Sequence, residues 1–526
     1  MNIIRGKFIG VLLLLAFIVS CSDESGHKIP QPPDEIDLTN SFYIEINLRD
    51  RSDDTFKVRM FVDDLSSDNA VFQFPATTPG TYDIHDIGRF VTDFKAYTEN
   101  HQQLGVANTS TNQWTLADPE NTRIIEFEVK ETFDTPVSEH PIFTMAGTSM
   151  ENNHTLLNAF DVLGYPTGLK ERDFYMSVLY PSNWTVGTSL QKDDNGYYFA
   201  TDYDKLVDSP LLFGFITSAS ATVAGAGINI YTYSKNNLIQ SSQIMSDVNF
   251  ILEDANAFLK GLPVDRYSFL YLFDEPANAG GALEHSYSSV YVLGDQPYTA
   301  GFGSFLRNIA AHEFFHVVTP LNIHSEIIED FNFADPTPSE HLWLYEGVTE
   351  WAAHMMQFRN NHIDMATLLN RFGSKKGSAN FYDANNGGPM SLSQMSLTCY
   401  HEGGLQFGNV YNKGALVAAL LDIRLLELSG GTKGLREIIL QLIETYGPEN
   451  AFSEENFFND LAVLTGYPTE VTDFLNKYVK GVDPLPMVEY FDKIGITFNP
   501  SNNTFTVNGS PTAAQLALRG KWSVNF

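Results

Sequence analysis

The chain contains only two cysteines, Cys21 and Cys399, among 526 residues. A small scaffold held together by disulfides needs several pairs, so this class of protein is excluded. Basic residues are also scarce, with 32 Lys and Arg against 64 Asp and Glu and a formal net charge of −32. A surface of this sign repels phosphates, so we expect no nucleic-acid partner.

Long apolar runs are missing too, apart from one near the start. Residues 8–19 are apolar, follow a positively charged start, and are too few to span a bilayer, which is typical of a secretory signal. The run ends at residues 18–21, IVSC, which resemble the lipobox of bacterial lipoproteins. The resemblance implies that residues 1–21 form a lipoprotein signal peptide and that Cys21 is lipidated. An ordinary signal followed by an incidental cysteine is the alternative.

A lipidated Cys21 would anchor the chain to a membrane of the bacterial cell envelope, the outer membrane. Residues 22–24, Ser-Asp-Glu, resemble the acidic export tag of surface lipoproteins, so periplasm-facing and outward-facing attachment are both open. Cys399 is then the remaining thiol, which leaves no intrachain disulfide. Residues 22–40 are polar with several prolines, so we predict an extended linker.

Two kinds of hydrophobic pattern divide the rest of the chain. Residues 41–235 contain short alternating runs between turn signals, which predict an N-terminal β-sandwich; residues 228–233 are one such strand. Residues 236–490 show mainly helical periodicity, with two predicted strands at 267–273 and 288–293. We therefore predict a multidomain fold, in which the β domain precedes an α+β domain made of a small sheet and a helical lobe.

A metal-binding pattern occurs at His312-Glu313-Phe314-Phe315-His316. On a helix, positions i and i+4 share one face, so both imidazoles can reach one metal ion. Glu313 then lies beside the open coordination position and suits a general base acting on water. The helix is predicted to follow a loop at residues 301–304. A helix face with paired histidines and no metal is the alternative.

A third ligand is expected further along the chain at Glu346. Thr337 and Glu340 form a capping-box pattern with Pro338 at the first helical position, which places Glu346 about two turns into a helix. Its aromatic neighbours indicate burial, and a buried carboxylate needs a cation or metal partner. A solvated helix glutamate is the alternative, but Glu340 and Glu350 fit that description better. The sequence thus predicts one Zn²⁺ per chain, held by His312, His316 and Glu346.

These residues, together with three further segments, resemble the glycyl aminopeptidase family, family 61 of the metallopeptidases. The motif is followed by LWLYEGVTEW at residues 342–351, and FPATTPGTY at 74–82 is similar to the family's proline-glycine-tyrosine signature. GALEH at 281–285 and YNKGALV at 411–417 are similar to two more family segments. The resemblance implies a thermolysin-like catalytic domain over residues 236–490. Many members carry a PDZ domain, but residues 491–526 are too few for a complete one, so we expect a small C-terminal stub.

The resemblance also implies roles for residues outside the metal pattern. Glu284 would pair with the free ammonium of a peptide, while the backbone of Gly281 and Ala282 lines the substrate. Tyr411 would donate a hydrogen bond to the oxyanion that forms as water attacks the peptide carbonyl. The alternatives are a solvated loop carboxylate for Glu284 and an ordinary core tyrosine for Tyr411.

Together these observations predict a zinc aminopeptidase that removes N-terminal residues from peptides. The resemblance implies a preference for small residues, glycine or alanine. Two other functions are open: a zinc endopeptidase of the same class, and an inactive surface binding protein on this scaffold.

Overall fold

The computed structural model describes residues 30–135, 137, 139–275 and 280–523, excepting the side chain of Glu402. The predicted signal peptide 1–21, Cys21 and the linker up to residue 29 lie outside the described residues. Among the described residues, no helix is both long and apolar enough to cross a membrane.

The first part of the chain is an N-terminal β domain, residues 41–215. Its strands and a short α-helix are β1 (Ser41–Asn47), β2 (Thr55–Phe61), β3 (Val71–Gln73), β4 (Val91–Tyr97), β5 (Gln103–Leu104), β6 (Val106–Ser110), β7 (Gln113–Leu116), β8 (Ile124–Lys130), β9 (Ser149–Met150), β10 (His154–Leu157), β11 (Tyr165–Pro166), β12 (Asp173–Leu179), β13 (Thr185–Thr188), β14 (Tyr198–Ala200), α1 (Tyr203–Val207) and β15 (Leu211–Gly214).

Three sheets make up this β domain. The largest has seven strands in the order β14-β12-β1-β2-β8-β4-β5, and two four-stranded sheets run β13-β15-β10-β9 and β11-β3-β7-β6. The alternating apolar positions of β8 and β12 point into one core, which includes Phe42, Phe72 and Phe127. This confirms the predicted N-terminal β domain.

The second domain, residues 216–523, contains a mixed sheet and a helical lobe. Its elements are β16 (Thr217–Val223), β17 (Ala226–Ser234), α2 (Ser241–Leu259), β18 (Arg266–Phe273), β19 (Gly281–His285), β20 (Ser288–Leu293), α3 (Ala300–Phe315), α4 (Glu326–Glu329), a π-helical segment (Trp343–Val348), α5 (Thr349–Arg359), α6 (Met365–Asn385), α7 (Leu392–Leu397), α8 (Gly408–Leu428), α9 (Leu435–Thr445), α10 (Phe457–Thr465), α11 (Pro468–Tyr478), α12 (Met487–Lys493), β21 (Ile496–Asn499), β22 (Thr504–Val507) and α13 (Ala513–Trp522).

The five-stranded sheet runs β16-β17-β18-β20-β19, with β17, β18 and β20 parallel. Strand β19 is antiparallel to β20 and forms one edge of the sheet. Strand β17 contains residues 228–233, which the sequence pattern assigned to the β-sandwich. Its full pairing with β18 puts that strand in the second domain instead. Alternation alone predicts a strand and does not say which sheet it joins.

Helix α3 begins earlier than the sequence pattern indicates. Thr299 is its N-cap, with the hydroxyl accepting from the Phe302 N–H at 3.2 Å, so the predicted loop at 301–304 is wrong. Gly303 lies inside the helix where α3 meets α2, since a Cβ there would lie 2.6 Å from Oδ2 of Asp247. The glycine therefore serves close packing of two helices rather than a turn.

The C-terminal residues pack on the helical lobe. Strands β21 and β22 form a two-stranded hairpin, and α13 follows it. Trp522 is fully buried against Phe358, and its backbone carbonyl accepts from Nε of Arg359 at 3.0 Å. These residues form a small appendage of the second domain.

Candidate metal and peptide site

Helix α3 presents the two histidines of the motif side by side. The ring centroids of His312 and His316 are 4.8 Å apart, and both side chains are at least nine-tenths buried. Nδ1 of His316 lies 3.0 Å from the carbonyl oxygen of Thr319, which can only accept a hydrogen bond. Nδ1 must therefore carry the proton, which leaves the Nε2 lone pair of His316 free for a metal.

Nδ1 of His312 is held by a carboxylate, that of Glu350, at 2.7 Å. Glu350 also contacts Nζ of Lys375 and lies 3.3 Å from Nε2 of His354. Although burial opposes it, Lys375 and His354 lower the pKa of Glu350 well below its usual value. A firmly ionised Glu350 orients His312 and increases the basicity of Nε2.

The prediction of a solvated glutamate is therefore wrong for Glu350, which pairs with His312 and Lys375. Glu350 lies one helical turn after Glu346, so it shares that face of the helix. The four-residue spacing from Glu346 to Glu350 could therefore have predicted that Glu350 reaches the same site.

Glu346 lies in the π-helical segment, which bends its carboxylate toward α3. Its Oε2 is 3.2 Å from Nε2 of His312 and 3.6 Å from Nε2 of His316. Gly347 packs against Gly414 of α8, because a Cβ on Gly347 would lie only 2.7 Å from the Gly414 Cα. The wider π turn and the two glycines bring α8 close to the metal-binding residues.

The predicted cap of this helix is wrong. Thr337 and Pro338 lie in irregular structure, and helical backbone starts at Leu342. Among the described residues no side chain caps this helix; just before it, the Glu454 carboxylate accepts from the Glu340 N–H and from Oγ of Ser339. Glu346 therefore lies in the first turn after Leu342 rather than two turns into the helix.

The three candidate ligands fit a tetrahedral zinc. Ligand atoms bound at 2.0–2.1 Å with tetrahedral angles lie about 3.3–3.4 Å apart, close to the two distances from Glu346 Oε2. All three ligand atoms lie within 4.8 Å of one another, and the set of two imidazoles and one carboxylate suits zinc. His312, His316 and Glu346 would hold the ion and leave a fourth position open.

Glu313 and Glu284 lie next to these ligands. Their carboxylates form a second close group with His316, again within 4.8 Å. Burial raises the pKa of Glu313 well above its usual value, with Glu284 and Glu346 adding to the rise. Burial also raises the pKa of Glu284 above its usual value. A carboxyl placed this way can exchange protons readily, which suits Glu313 as a base and then an acid.

The N-terminal β domain reaches into the site through residues 79–82. The Tyr82 hydroxyl donates to Oε1 of Glu346 at 3.0 Å, which leaves Oε2 facing the histidines. Tyr82 has a φ of +51°, and Gly80 has a φ of +84°. A Cβ on Gly80 would lie 2.8 Å from Oε1 of Glu284, so this turn packs directly on that carboxylate. The sequence marks this segment as a family signature but gives no sign of the contact with Glu346.

Tyr411 lies on α8 beside His312, with ring centroids 5.5 Å apart. Burial raises the pKa of Tyr411 well above 10, and Glu346 and Glu284 raise it further. The phenol therefore keeps its proton at neutral pH. Among the described residues its hydroxyl has no hydrogen-bond partner, so it can donate to a substrate oxygen.

Edge strand β19 carries the other candidates. Gly281 lies against Met145 of the β domain, with a Cβ position 3.0 Å from the sulfur, and Ala282 is partly exposed. At the end of β19, Nδ1 of His285 lies 3.1 Å from Oδ1 of Asp208 in the β domain. The strand is thus fixed at both ends by the β domain, with Glu284 between them.

Comparisons with known proteins agree with this arrangement. The sequence model of the peptidase M61 N-terminal domain matches residues 43–215, which end just before β16. The model of the M61 glycyl aminopeptidase matches residues 305–417, which include every candidate ligand, Glu313 and Tyr411. Together the two span more than half of the chain. A comparison with curated protein sequences gives no match.

Solved structures show the same fold. An aminopeptidase N family protein from Idiomarina loihiensis is 21% identical, with a TM-score of 0.75 over 87% of this chain and 78% of that one. An M1 zinc metallopeptidase from Deinococcus radiodurans is 12% identical, with a TM-score of 0.51 over 85% of this chain and 95% of that one. A variant of that enzyme bound to a Tyr-Ser-Ala substrate is 10% identical, over the same shares of the two chains, with a TM-score of 0.50. With both family models matched in order along one chain, this protein is a peptidase of the M61 glycyl aminopeptidase family.

Proposed function

We propose that this protein is a zinc-dependent aminopeptidase that cleaves the first peptide bond of peptides with a free amino terminus. One observation carries the proposal: the Nε2 atoms of His312 and His316 converge on one oxygen of Glu346, with the Glu284 carboxylate beside them. The first feature suits a hydrolytic zinc, and the second suits recognition of an ammonium.

The bound zinc would supply a Lewis acid that polarises the scissile carbonyl and activates water. Glu313, beside the ligands, takes the proton from the attacking water and then delivers it to the leaving amine. Tyr411 donates its phenol hydrogen to the oxygen on which negative charge develops. Glu350 keeps His312 in place throughout, because its carboxylate is fixed by Lys375.

Glu284 accounts for the exopeptidase character. A substrate ammonium paired with its carboxylate lies a short, fixed distance from the ligands, so the first peptide bond is the one presented. The substrate chain extends along edge strand β19, past the backbone of Gly281 and Ala282. The peptide bound to the Deinococcus radiodurans variant is likewise a short one, Tyr-Ser-Ala.

The preference for glycine or alanine that the family resemblance implies stays a prediction. An endopeptidase would need space beyond Glu284 for substrate residues that precede the cleaved bond. A binding protein on this scaffold would be expected to lack a catalytic residue or a metal ligand. Glu313 and the three candidate ligands are all in position, so the enzyme is favoured over the binding protein.

A substrate panel tests the proposal. The purified protein, its Glu313→Gln variant and the exposed control Glu444→Gln are assayed on aminoacyl amides and on acetylated peptides, with zinc content measured for each. We expect one zinc in all three proteins, activity on free-amine substrates, and a loss of at least about a thousandfold in Glu313→Gln alone. Activity confined to acetylated peptides would establish an endopeptidase, and zinc without any hydrolysis would favour a binding protein.

We also propose that the chain is attached to the bacterial outer membrane through a lipid on Cys21. The support is the apolar signal and the lipobox-like residues 18–21. Labelled palmitate should enter the full chain but not its Cys21→Ser variant, and Cys399→Ser serves as the control. Equal labelling of both variants, or none in the parent chain, would contradict the anchor.

A further inference from the structure

A cavity of about 340 Å³ lies beside Glu284. Its volume falls within the range of roughly 300–1,000 Å³ that is usual for small-molecule pockets. Gly80 and Tyr82 form one wall, and Ser286 and Tyr287, which follow β19, form another. The remaining wall comes from the second domain, mainly from the chain between α3 and the π-helical segment.

The walls are mostly apolar. Six aliphatic and aromatic side chains from both domains illustrate this: Phe160, Val264, Leu321, Ile328, Phe331 and Leu342. Two of the carboxylates that reach the cavity already have partners within the protein. Asp208 accepts from the Ser286 N–H and contacts His285, and Asp204 lies 3.3 Å from Nζ of Lys170.

Glu284 belongs both to this cavity and to the group formed with Glu313 and His316. A substrate ammonium paired with Glu284 places the first Cα within a few ångströms of that carboxylate. The carbonyl on the same Cα must turn toward His312, His316 and Glu346, which do not line the cavity. The side chain branches from that Cα in another direction, and the cavity beside Glu284 offers space for it.

We propose that this cavity binds the side chain of the substrate's first residue and selects a large apolar or aromatic one. The inference rests on the proposed aminopeptidase function and departs from the small-residue preference that the family resemblance implies. A glycine would leave the apolar walls in contact with water, whereas a phenylalanine or leucine side chain would displace that water. The difference should favour the bulky residue in kcat/KM by roughly tenfold to a hundredfold.

The test compares glycyl, alanyl, leucyl, phenylalanyl and arginyl amides with two variants that fill the cavity. Ile328→Trp and Val264→Phe enlarge partly exposed side chains on separate walls, so neither forces a large group into a closed core. Val463→Trp, at an exposed position on α10, is the matched control. The readout is the ratio of kcat/KM for the phenylalanyl amide to that for the glycyl amide.

We expect the parent chain and Val463→Trp to favour the phenylalanyl amide and each filled variant to lower the ratio at least about tenfold. Highest activity on glycyl or arginyl amides, or an unchanged ratio in both filled variants, overturns the inference while leaving the aminopeptidase intact. If the zinc-loaded parent hydrolyses no free-amine substrate, the proposed function fails and the inference falls with it.

Discussion

Gly347 and Gly414 touch backbone to backbone, since a Cβ on either would lie 2.7–2.8 Å from the Cα of the other. Gly347 directly follows the candidate ligand Glu346, and Gly414 lies almost one turn after Tyr411 on α8. The contact therefore sets the distance between a metal ligand and the candidate oxyanion donor.

We expect Gly347→Ala and Gly414→Ala each to destabilise the protein by about 1–3 kcal/mol, because a methyl group must push two backbones apart. Activity should fall further than stability explains, since Glu346 and Tyr411 separate. Thermal unfolding and kcat/KM measure the two effects. Gly520→Ala, in α13 with nothing within 4 Å of the added Cβ, is the control and should not destabilise. Unchanged stability and activity in both site variants would show that the two backbones can accommodate a methyl group without moving the site.

Glu350→Gln should weaken zinc binding about tenfold to a hundredfold, because His312 loses the carboxylate that orients it. Titration with a competing chelator measures the affinity. Glu340→Gln provides a matched control, since Glu340 lies 3.7 Å from Nζ of Lys480 and does not belong to the candidate metal-binding group. Equal affinities in the two variants would rule out the proposed role of Glu350.

Tyr82→Phe removes the hydrogen bond to Oε1 of Glu346 without changing the ring. A hydrogen bond to a charged group contributes about 1.5–3 kcal/mol, so zinc affinity or kcat/KM should fall by roughly tenfold to a hundredfold. Tyr97→Phe, in strand β4 of the β domain's large sheet and outside the candidate site, should change neither quantity. An active Tyr82→Phe variant with normal zinc affinity would mean that the contact only packs the two domains.

Glu284→Gln tests ammonium recognition separately from hydrolysis. Loss of the charge pair should lower kcat/KM for free-amine substrates by about a hundredfold and leave the zinc content unchanged. The gap between free and acetylated substrates should narrow at the same time. A drop in zinc content would instead indicate that Glu284 supports the metal ligands.

Ionisation of Glu131, in the N-terminal β domain, should make the free energy of unfolding depend on pH. Burial, together with the neighbouring carboxyl of Asp134, raises the pKa of Glu131 to about 8, against an ordinary value of 4.5. This group's contribution to stability is therefore complete below pH 4.5 and is lost as the pH rises toward 8. Glu131→Gln should raise the melting temperature at pH 8.5 by a few degrees and change it little at pH 4.5, whereas the exposed control Glu120→Gln should do neither. A pH-independent difference would contradict this pKa.

The sequence predicted the order of the two domains, the helix that carries His312 and His316, and Glu346 as the residue that lies close to both histidines. These features depend on local periodicity and spacing, which the sequence contains. It could not predict that Glu454, more than a hundred positions away, accepts from the Glu340 N–H just before this helix, because that hydrogen bond is a tertiary contact. For the same reason it missed Tyr82 as a partner of Glu346 and placed strand β17 in the wrong domain.

The turn at residues 79–82 makes the second domain depend on the β domain for part of the candidate site. Because Tyr82 touches a metal ligand and Gly80 touches Glu284, a second domain produced alone would have exposed, unsupported carboxylates and an open cavity wall. Exchanging β domains between relatives would also exchange the Gly80 and Tyr82 wall of the cavity. The Tyr82–Glu346 hydrogen bond thus joins the β domain directly to the candidate metal site.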